Sequence, residues 1–239
     1  MAKVNKFGLS RNIPASVKRE VRKRCGFGCV ICACPIIEYE HIDPPFHLAK
    51  EHLVESIALL CPNCHAKVTK RLYPKDKVKK ALLNPAAFNK GVTSLVHEFD
   101  SGFPVIKFGG STFYECNIPL VVRNENILEI NMQDQVALIS GRFYDSKGRL
   151  SLEIIENEWV CGVNNWDVEI IGPRLIIKEK KHGSVLSIVF DVPNAIDIKS
   201  FNMLVNGLRV VSDDKSLRFN GNSIRVGYVA KSPIGFNIS

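Results

Sequence analysis

The chain has 239 residues, 46% of them hydrophobic and 23% charged, with a formal net charge of +8. That length accommodates one large domain or two ordinary ones, each able to bury a core of its own. No run of eighteen apolar residues occurs, and the opening MAKVNKFGLSRNIP has no continuous apolar stretch. Both features argue against a membrane partner and a secretory leader, so a cytoplasmic protein is expected.

The excess positive charge sits in the N-terminal third, where RNIPASVKREVRKR and KVTKRLYPKDKVKK flank a cysteine-rich stretch. One such run is ordinarily a solvated helix face, but two bracketing a candidate metal site favour a polyanionic partner, because Lys and Arg neutralise phosphates. In chain order, Pro14 ahead of ASVKREVRKR predicts a short basic helix over Ala15–Arg24. PIIEYEHI reads as a strand, and after a Pro-Pro turn SIALLC reads as a second strand able to pair with it. CPNCHAKVTKRL then opens a helix with its histidine in the first turn, and KDKVKKALLN is a further helix stopped by Asn84 and Pro85. The texture changes near residues 90 to 104. From about Phe103 the chain is a series of short β-type runs, from PVIKFG through QVALISGRFYD and VLSIVFD to SIRVGYVA, separated by turns such as DSKG, KHGS and FNGN. The expected architecture is therefore α+β, with a mixed first domain over residues 1–95 and an all-β domain over 103–239. Sequence alone leaves sandwich, barrel and short β-solenoid open for the latter.

Eight cysteines are present, six of them between Cys25 and Cys64. Cys29-Val-Ile-Cys32 and Cys61-Pro-Asn-Cys64 each present two sulfurs from one tight turn, and four sulfurs suit a closed, tetrahedral, structural zinc site. Cys25 and Cys34 are read as spares that pack nearby, and Cys116 and Cys161 as buried small hydrophobes. His41 ends the first strand behind Glu40, and His65 follows Cys64 directly. If the hairpin packs on the helix, His41 and His65 face a common cleft. There a carboxylate and a histidine can hold one divalent cation, while a free histidine beside it serves as general base.

C-x-x-C, a strand ending in Glu-His, then L-C-P-N-C-H opening a basic helix resembles the HNH endonuclease family with its ββα-metal fold, over about residues 20 to 72. The resemblance implies a zinc-containing HNH module followed by the all-β domain, and hydrolysis of phosphodiester bonds in DNA, with a cellular role in restriction or phage defence. It implies that His41 is the general base, that His65 and Glu40 hold Mg²⁺ or another divalent cation, and that Cys29, Cys32, Cys61 and Cys64 hold structural Zn²⁺. Lys67, Lys70 and Arg71, on the helix carrying His65, become candidates for backbone phosphates. Where the family has a middle Asn about five residues before the third cysteine, this chain has Ser56, whose arm is too short to orient the base. Either Glu55 or His52 takes that role or activity is reduced, and a non-catalytic zinc-ribbon nucleic-acid-binding protein is the rival reading. His47 is read as a solvated loop residue. Trp159 and Trp166 are core anchors or, less in keeping with Trp burial, base-stacking groups. Exposed edges of the β-rich domain offer a route to a homo-oligomer.

Overall fold

The computed structural model describes residues 4–99, 102–180, 184–225, 227 and 229–239. Residues 181–183 of the expected KHGS turn and positions 226 and 228 of the expected strand SIRVGYVA lie outside them. The protein is α+β, with strands predominating. Among the described residues no helix is long and apolar enough to cross a membrane. The chain divides into two compact units, one comprising Met1–Ser94 with Gly162–Asp167, the other Leu95–Cys161 with Val168–Ser239.

The first unit contains helix α1 (Ala15–Arg24), strands β1 (Glu38–His41) and β2 (Ile57–Leu60), and helices α2 (Pro62–Thr69), α3 (Lys75–Leu83) and α4 (Ala86–Lys90). Each helix opens at or directly after a proline, namely Pro14, Pro62, Pro74 and Pro85. The ring fixes φ near its helical value, and its missing N–H falls where no intrahelical acceptor exists. Pro85 thus does more than stop α3, as the sequence suggested: it also starts α4, which ends on Gly91 at φ 75°. The expected first strand is shorter than PIIEYEHI, beginning only at Glu38.

β1 and β2 form an antiparallel pair with Glu38 opposite Leu60 and His41 opposite Ile57. All four residues of β2 are buried, because α1 packs against β2 while α2 packs against both strands. A strand covered on both faces carries a continuous apolar run, as Ile57-Ala-Leu-Leu60 does. Val21, Cys25, Ile42, Val68, Val78 and Leu82 complete this core.

Residues 162–167 join the first unit although they come from the midst of the β-rich sequence. Their anchor is Asp167, 2% exposed, whose carboxylate accepts two hydrogen bonds from Arg22, from Nε at 2.9 Å and Nη2 at 2.7 Å. Arg22 Nη1 also donates to the Tyr39 hydroxyl at 2.8 Å. Beside this pair the Arg19 guanidinium lies 3.6 Å from the centre of the Trp166 ring.

β3 (Val92–Val96) carries the chain from one unit into the other. The second unit continues with β4 (Val105–Phe108), β5 (Ser111–Tyr114), β6 (Ile118–Val122), β7 (Glu125–Gln133), β8 (Val136–Tyr144), β9 (Leu150–Ile155), β10 (Glu158–Gly162), β11 (Asp167–Ile171) and β12 (Arg174–Lys178). It ends with β13 (Ser184–Asp191), β14 (Ala195–Val205), β15 (Leu208–Ser212), β16 (Ser216–Phe219), β17 (Asn222–Arg225), β18 (Val229–Lys231) and β19 (Ile234–Ile238). Two sheets result, each mainly a meander of sequential antiparallel strands: β6 to β10 with β19 at one edge, and β11 to β17 with the β4–β5 hairpin beside β14. Phe108, Phe113 and Phe201 of the second sheet meet Phe236 of β19 in one aromatic cluster, with ring centroids 5.1–6.3 Å apart. Trp159 is buried at 1% exposure and Cys116 and Cys161 are buried too, so these three pack as the sequence suggested. Trp166 is half-buried, with Arg19 over one face of its ring.

Replacing Asp167 with Ala removes the carboxylate that meets the buried Arg22 charge, and truncating one partner of such a pair costs about 3–5 kcal/mol. Urea unfolding of the full chain is expected to show a loss of that size for Asp167→Ala, and a loss under about 0.5 kcal/mol for Lys67→Ala, an ordinary surface substitution.

Candidate metal centre and histidine site

Cys29 and Cys32 lie in the turn that precedes β1, while Cys61 caps α2 and Cys64 sits in its first turn. The Sγ atoms of these four gather within 4.8 Å of one another. Cys32 Sγ is 3.7 Å from Cys61 Sγ and 4.0 Å from Cys64 Sγ. Sulfurs bound tetrahedrally at about 2.3 Å stand about 3.8 Å apart, so the quartet already has the spacing of a four-thiolate zinc site. Among the described residues it is the group of three or more Cys, His, Asp and Glu whose donors converge so closely. The electrostatics point the same way. Burial and then the neighbouring Cys29 push the Cys32 thiol up to about 12, and burial followed by Cys29 raises Cys64 as well. Cys61 is buried too, yet the backbone N–H of Cys64 and the neighbouring thiols outweigh that and lower it. Four crowded sulfurs resist joint ionisation unless a dication sits among them, and their convergence makes the set able to hold a metal ion.

The spare cysteines have other duties. Cys25 is fully buried, and burial lifts its thiol to about 11. The Cys34 carbonyl accepts the Cys29 N–H at 2.8 Å and closes the turn.

Alternation along β1 puts Glu38 and Glu40 on one face and Tyr39 and His41 on the other. The helix α2 brings His65 to the glutamate face. There Nδ1 of His65 lies 2.6 Å from Glu38 Oε2 and Nε2 lies 3.2 Å from Glu40 Oε2. Adjacent ligands of an octahedral cation at about 2.1 Å stand about 3.0 Å apart. Glu40 and His65 Nε2 therefore have the spacing of two neighbouring ligands. Glu38, accepting from Nδ1–H, would fix the tautomer that leaves Nε2 free to coordinate.

On the opposite face His41 is only 6% exposed. Its Nε2 is 3.1 Å from Nδ1 of His52, and its ring meets that of Phe46 edge-on at 5.4 Å. Burial, then His52 and Arg11, hold its pKa below the usual histidine value, which keeps the ring neutral and able to accept a proton. Of the three residues considered for orienting His41, His52 is the one that touches it. Ser56 uses its carbonyl to receive Ile42 N–H at 2.8 Å, and Glu55 is exposed with its carbonyl taken by Arg24. His65 thus gathers with two carboxylates and His41 with a second imidazole.

His47 is exposed, as expected for a loop residue. The helix carrying His65 starts earlier than expected, at Pro62, and stops at Thr69. Lys67 alone of the three basic candidates therefore projects from it, with Nζ 5.3 Å from the Tyr73 ring. Lys70 caps the helix and Arg71 lies beyond it at φ 60°; both are exposed. Sequence reasoning passed over Glu38, although its place two residues before Glu40 on one strand was the signal. Arg11, exposed and lying 4.8 Å over the Phe46 ring, had no such signal.

No protein-family model, curated protein or solved structure matches the chain.

Removing one ligand of the quartet should release the metal. Elemental analysis of purified protein is expected to find one zinc per chain, absent from Cys61→Ser, whose melting temperature falls by about 10 °C or more because binding free energy is folding free energy here.

Proposed function

We propose that this chain is a metal-dependent DNA endonuclease of the HNH type, its first unit being a ββα-metal module around a structural zinc. The observation that carries this reading is the pairing of His65 with Glu38 and Glu40 on one face of β1, with His41, the next residue after Glu40, held by another side chain on the other face. A bound divalent cation would supply charge to neutralise the reacting phosphate and stabilise the departing oxygen. Glu40 and His65 Nε2 would hold it, and Glu38 keeps His65 in the coordinating tautomer. His41 takes a proton from the attacking water, and His52, through Nδ1, fixes the rotation of the His41 ring in place of the family's Asn. Among the described residues β1 is paired only on its β2 side, and adjacent residues on it lie 3.8 Å apart at Cα. A phosphodiester laid across that open edge reaches Glu40 on one face and His41 on the other. Lys67, Lys70 and Arg71 contribute contacts to backbone phosphates on the side of α2.

The 6% exposure of His41 favours a second reading, a zinc-ribbon module that binds nucleic acid without cutting it. Plasmid incubated with the protein and Mg²⁺ or Mn²⁺ separates the two. The endonuclease reading expects nicking or linearisation, a rate lower by about 10²–10⁴-fold in His41→Ala, and unchanged zinc content in that variant. His52→Ala should slow cutting through kcat with little change in KM, and His52→Asn should recover part of the loss. Parental cutting by His41→Ala overturns the endonuclease assignment built on His41, and DNA binding with no cutting under any divalent cation leaves the binding module as the answer.

A further inference from the structure

A cavity of about 560 Å³ opens in the first unit, lined by Lys23 and Arg24 in the last turn of α1, Val54, Phe88 of α4, and Asn164 and Asn165 of the 162–167 segment. None of these residues has a part in the site above. The volume falls in the range of small-ligand sites, and the lining combines three kinds of group. Phe88 is a large apolar ring left 45% exposed. Lys23 is exposed, while Arg24 is anchored by Nη1 to the carbonyls of Val54 at 3.0 Å and Glu55 at 3.1 Å, which occupies one of its three nitrogens. Asn164 presents an exposed amide. The acidic residue of the lining, Glu20, is paired with Arg19.

A simple anion has no use for the Phe88 ring, and an apolar ligand has no use for the two cations. A nucleotide uses all three: a face to stack, base edges that match amide donors and acceptors, and a phosphate for the cations. The cavity also lies near the proposed cut. Ile57, the cross-strand partner of His41, is three steps along the chain from Val54. At no more than about 3.5 Å per residue, plus about 5 Å across the pair, Val54 lies within roughly 16 Å of His41 at Cα. A few nucleotides at about 3.4 Å each along a strand span that distance.

We propose that this cavity holds one unpaired nucleotide of the bound DNA strand, a few positions from the cut, with its base on Phe88 beside Asn164 and its phosphate by Lys23 and Arg24. The placement near a cut rests on the endonuclease reading; the binding of an unpaired nucleotide does not. It makes the cavity a specificity-determining subsite that favours frayed, flipped or single-stranded positions over intact duplex.

The test uses the full-length zinc-loaded protein without added Mg²⁺ or Mn²⁺ and a fluorescein-labelled single-stranded 12-mer, alone or annealed to its complement, read by anisotropy at fixed salt. Phe88→Ala and Asn164→Ala should each weaken single-strand binding about tenfold and change duplex binding less than about twofold, at parental zinc content and circular dichroism. Lys23→Gln should lower the salt dependence of single-strand binding by about one counterion. Parental single-strand affinity in both the Phe88 and Asn164 variants overturns the assignment. So does no binding by the parent, an equal loss on duplex, or displacement of the 12-mer by an equal concentration of nucleoside monophosphates. Plasmid cleavage, measured in parallel with Mg²⁺, keeps the two readings apart. A parent that cuts while Phe88→Ala binds and cuts like it sinks the cavity alone. A parent that never cuts, with strand binding lost in Phe88→Ala, sinks the endonuclease alone.

Discussion

A two-stranded hairpin with four residues in each strand is marginal in water, since it buries too little to offset the ordering of its backbone. In this protein both ends of such a hairpin are tied to one point. The Cys29–Cys32 turn stands ahead of β1, Cys61 and Cys64 open α2 directly after β2, and their sulfurs converge within 4.8 Å. The turn itself tolerates little variation. A Cβ on Gly28 would lie 2.5 Å from the Ala33 carbonyl oxygen, and Ala33 itself adopts φ 67°, so the chain is folded tightly back on itself to present its sulfurs. His65 follows Cys64 by one residue. Its placement against β1 is accordingly set by the cysteine cluster, and everything inferred about the chemistry of the first unit depends on that cluster being closed.

The strand pleat then divides the environment of two adjacent residues. Glu40 shares its face with Glu38 and His65, a concentration of negative charge that favours a cation. His41, one residue on, shares its face with Phe46, His52 and the Arg11 guanidinium, which favour a neutral imidazole. Glu40 and His41 are thereby adjacent in sequence yet lie in separate electrostatic surroundings. The loop that supplies Phe46 and His52 is held from elsewhere: Asn5 Nδ2 donates to the carbonyls of Phe46 and Ala49, both at 2.6 Å. The N-terminal segment therefore belongs to the same constellation, as support for the loop that bears on His41.

What could be read from the sequence follows from how local each signal is. Helix α1 coincides with the run after Pro14, and β1 with β2 follows from the β-branched run, the Pro-Pro turn and SIALLC, because turn chemistry and periodicity act within a few residues. The cysteine quartet was legible for the same reason, its spacing being imposed by two tight turns. β3, β5, β16 and β19 were not read as strands. They are four or five residues long and are held by neighbours that only the folded sheet supplies, β19 by β6 and β16 by β15 and β17. The role of His52 could be posed but not decided, since a loop of ten residues between two histidines says nothing about which nitrogen meets which. Glu38 needed one further step, the recognition that period two places it beside Glu40.

The hardest feature to foresee is that residues 162–167 complete the first unit. Nothing in NNWD distinguishes it from a turn between strands, yet Asp167 supplies both oxygens that neutralise Arg22, and Trp166 gives Arg19 an aromatic face. Arg22 reads as one more charge in a basic helix, and its burial at 8% exposure is tolerable only because a carboxylate 145 positions away arrives to meet it. The first unit is thus discontinuous in sequence, and a boundary drawn near residue 95 would remove the counter-charge of its own α1. The same segment forms a wall of the Phe88 cavity. In this chain the β-rich sequence supplies six residues to the fold of the cysteine-rich unit, and these make both its buried ion pair and part of its candidate nucleotide site.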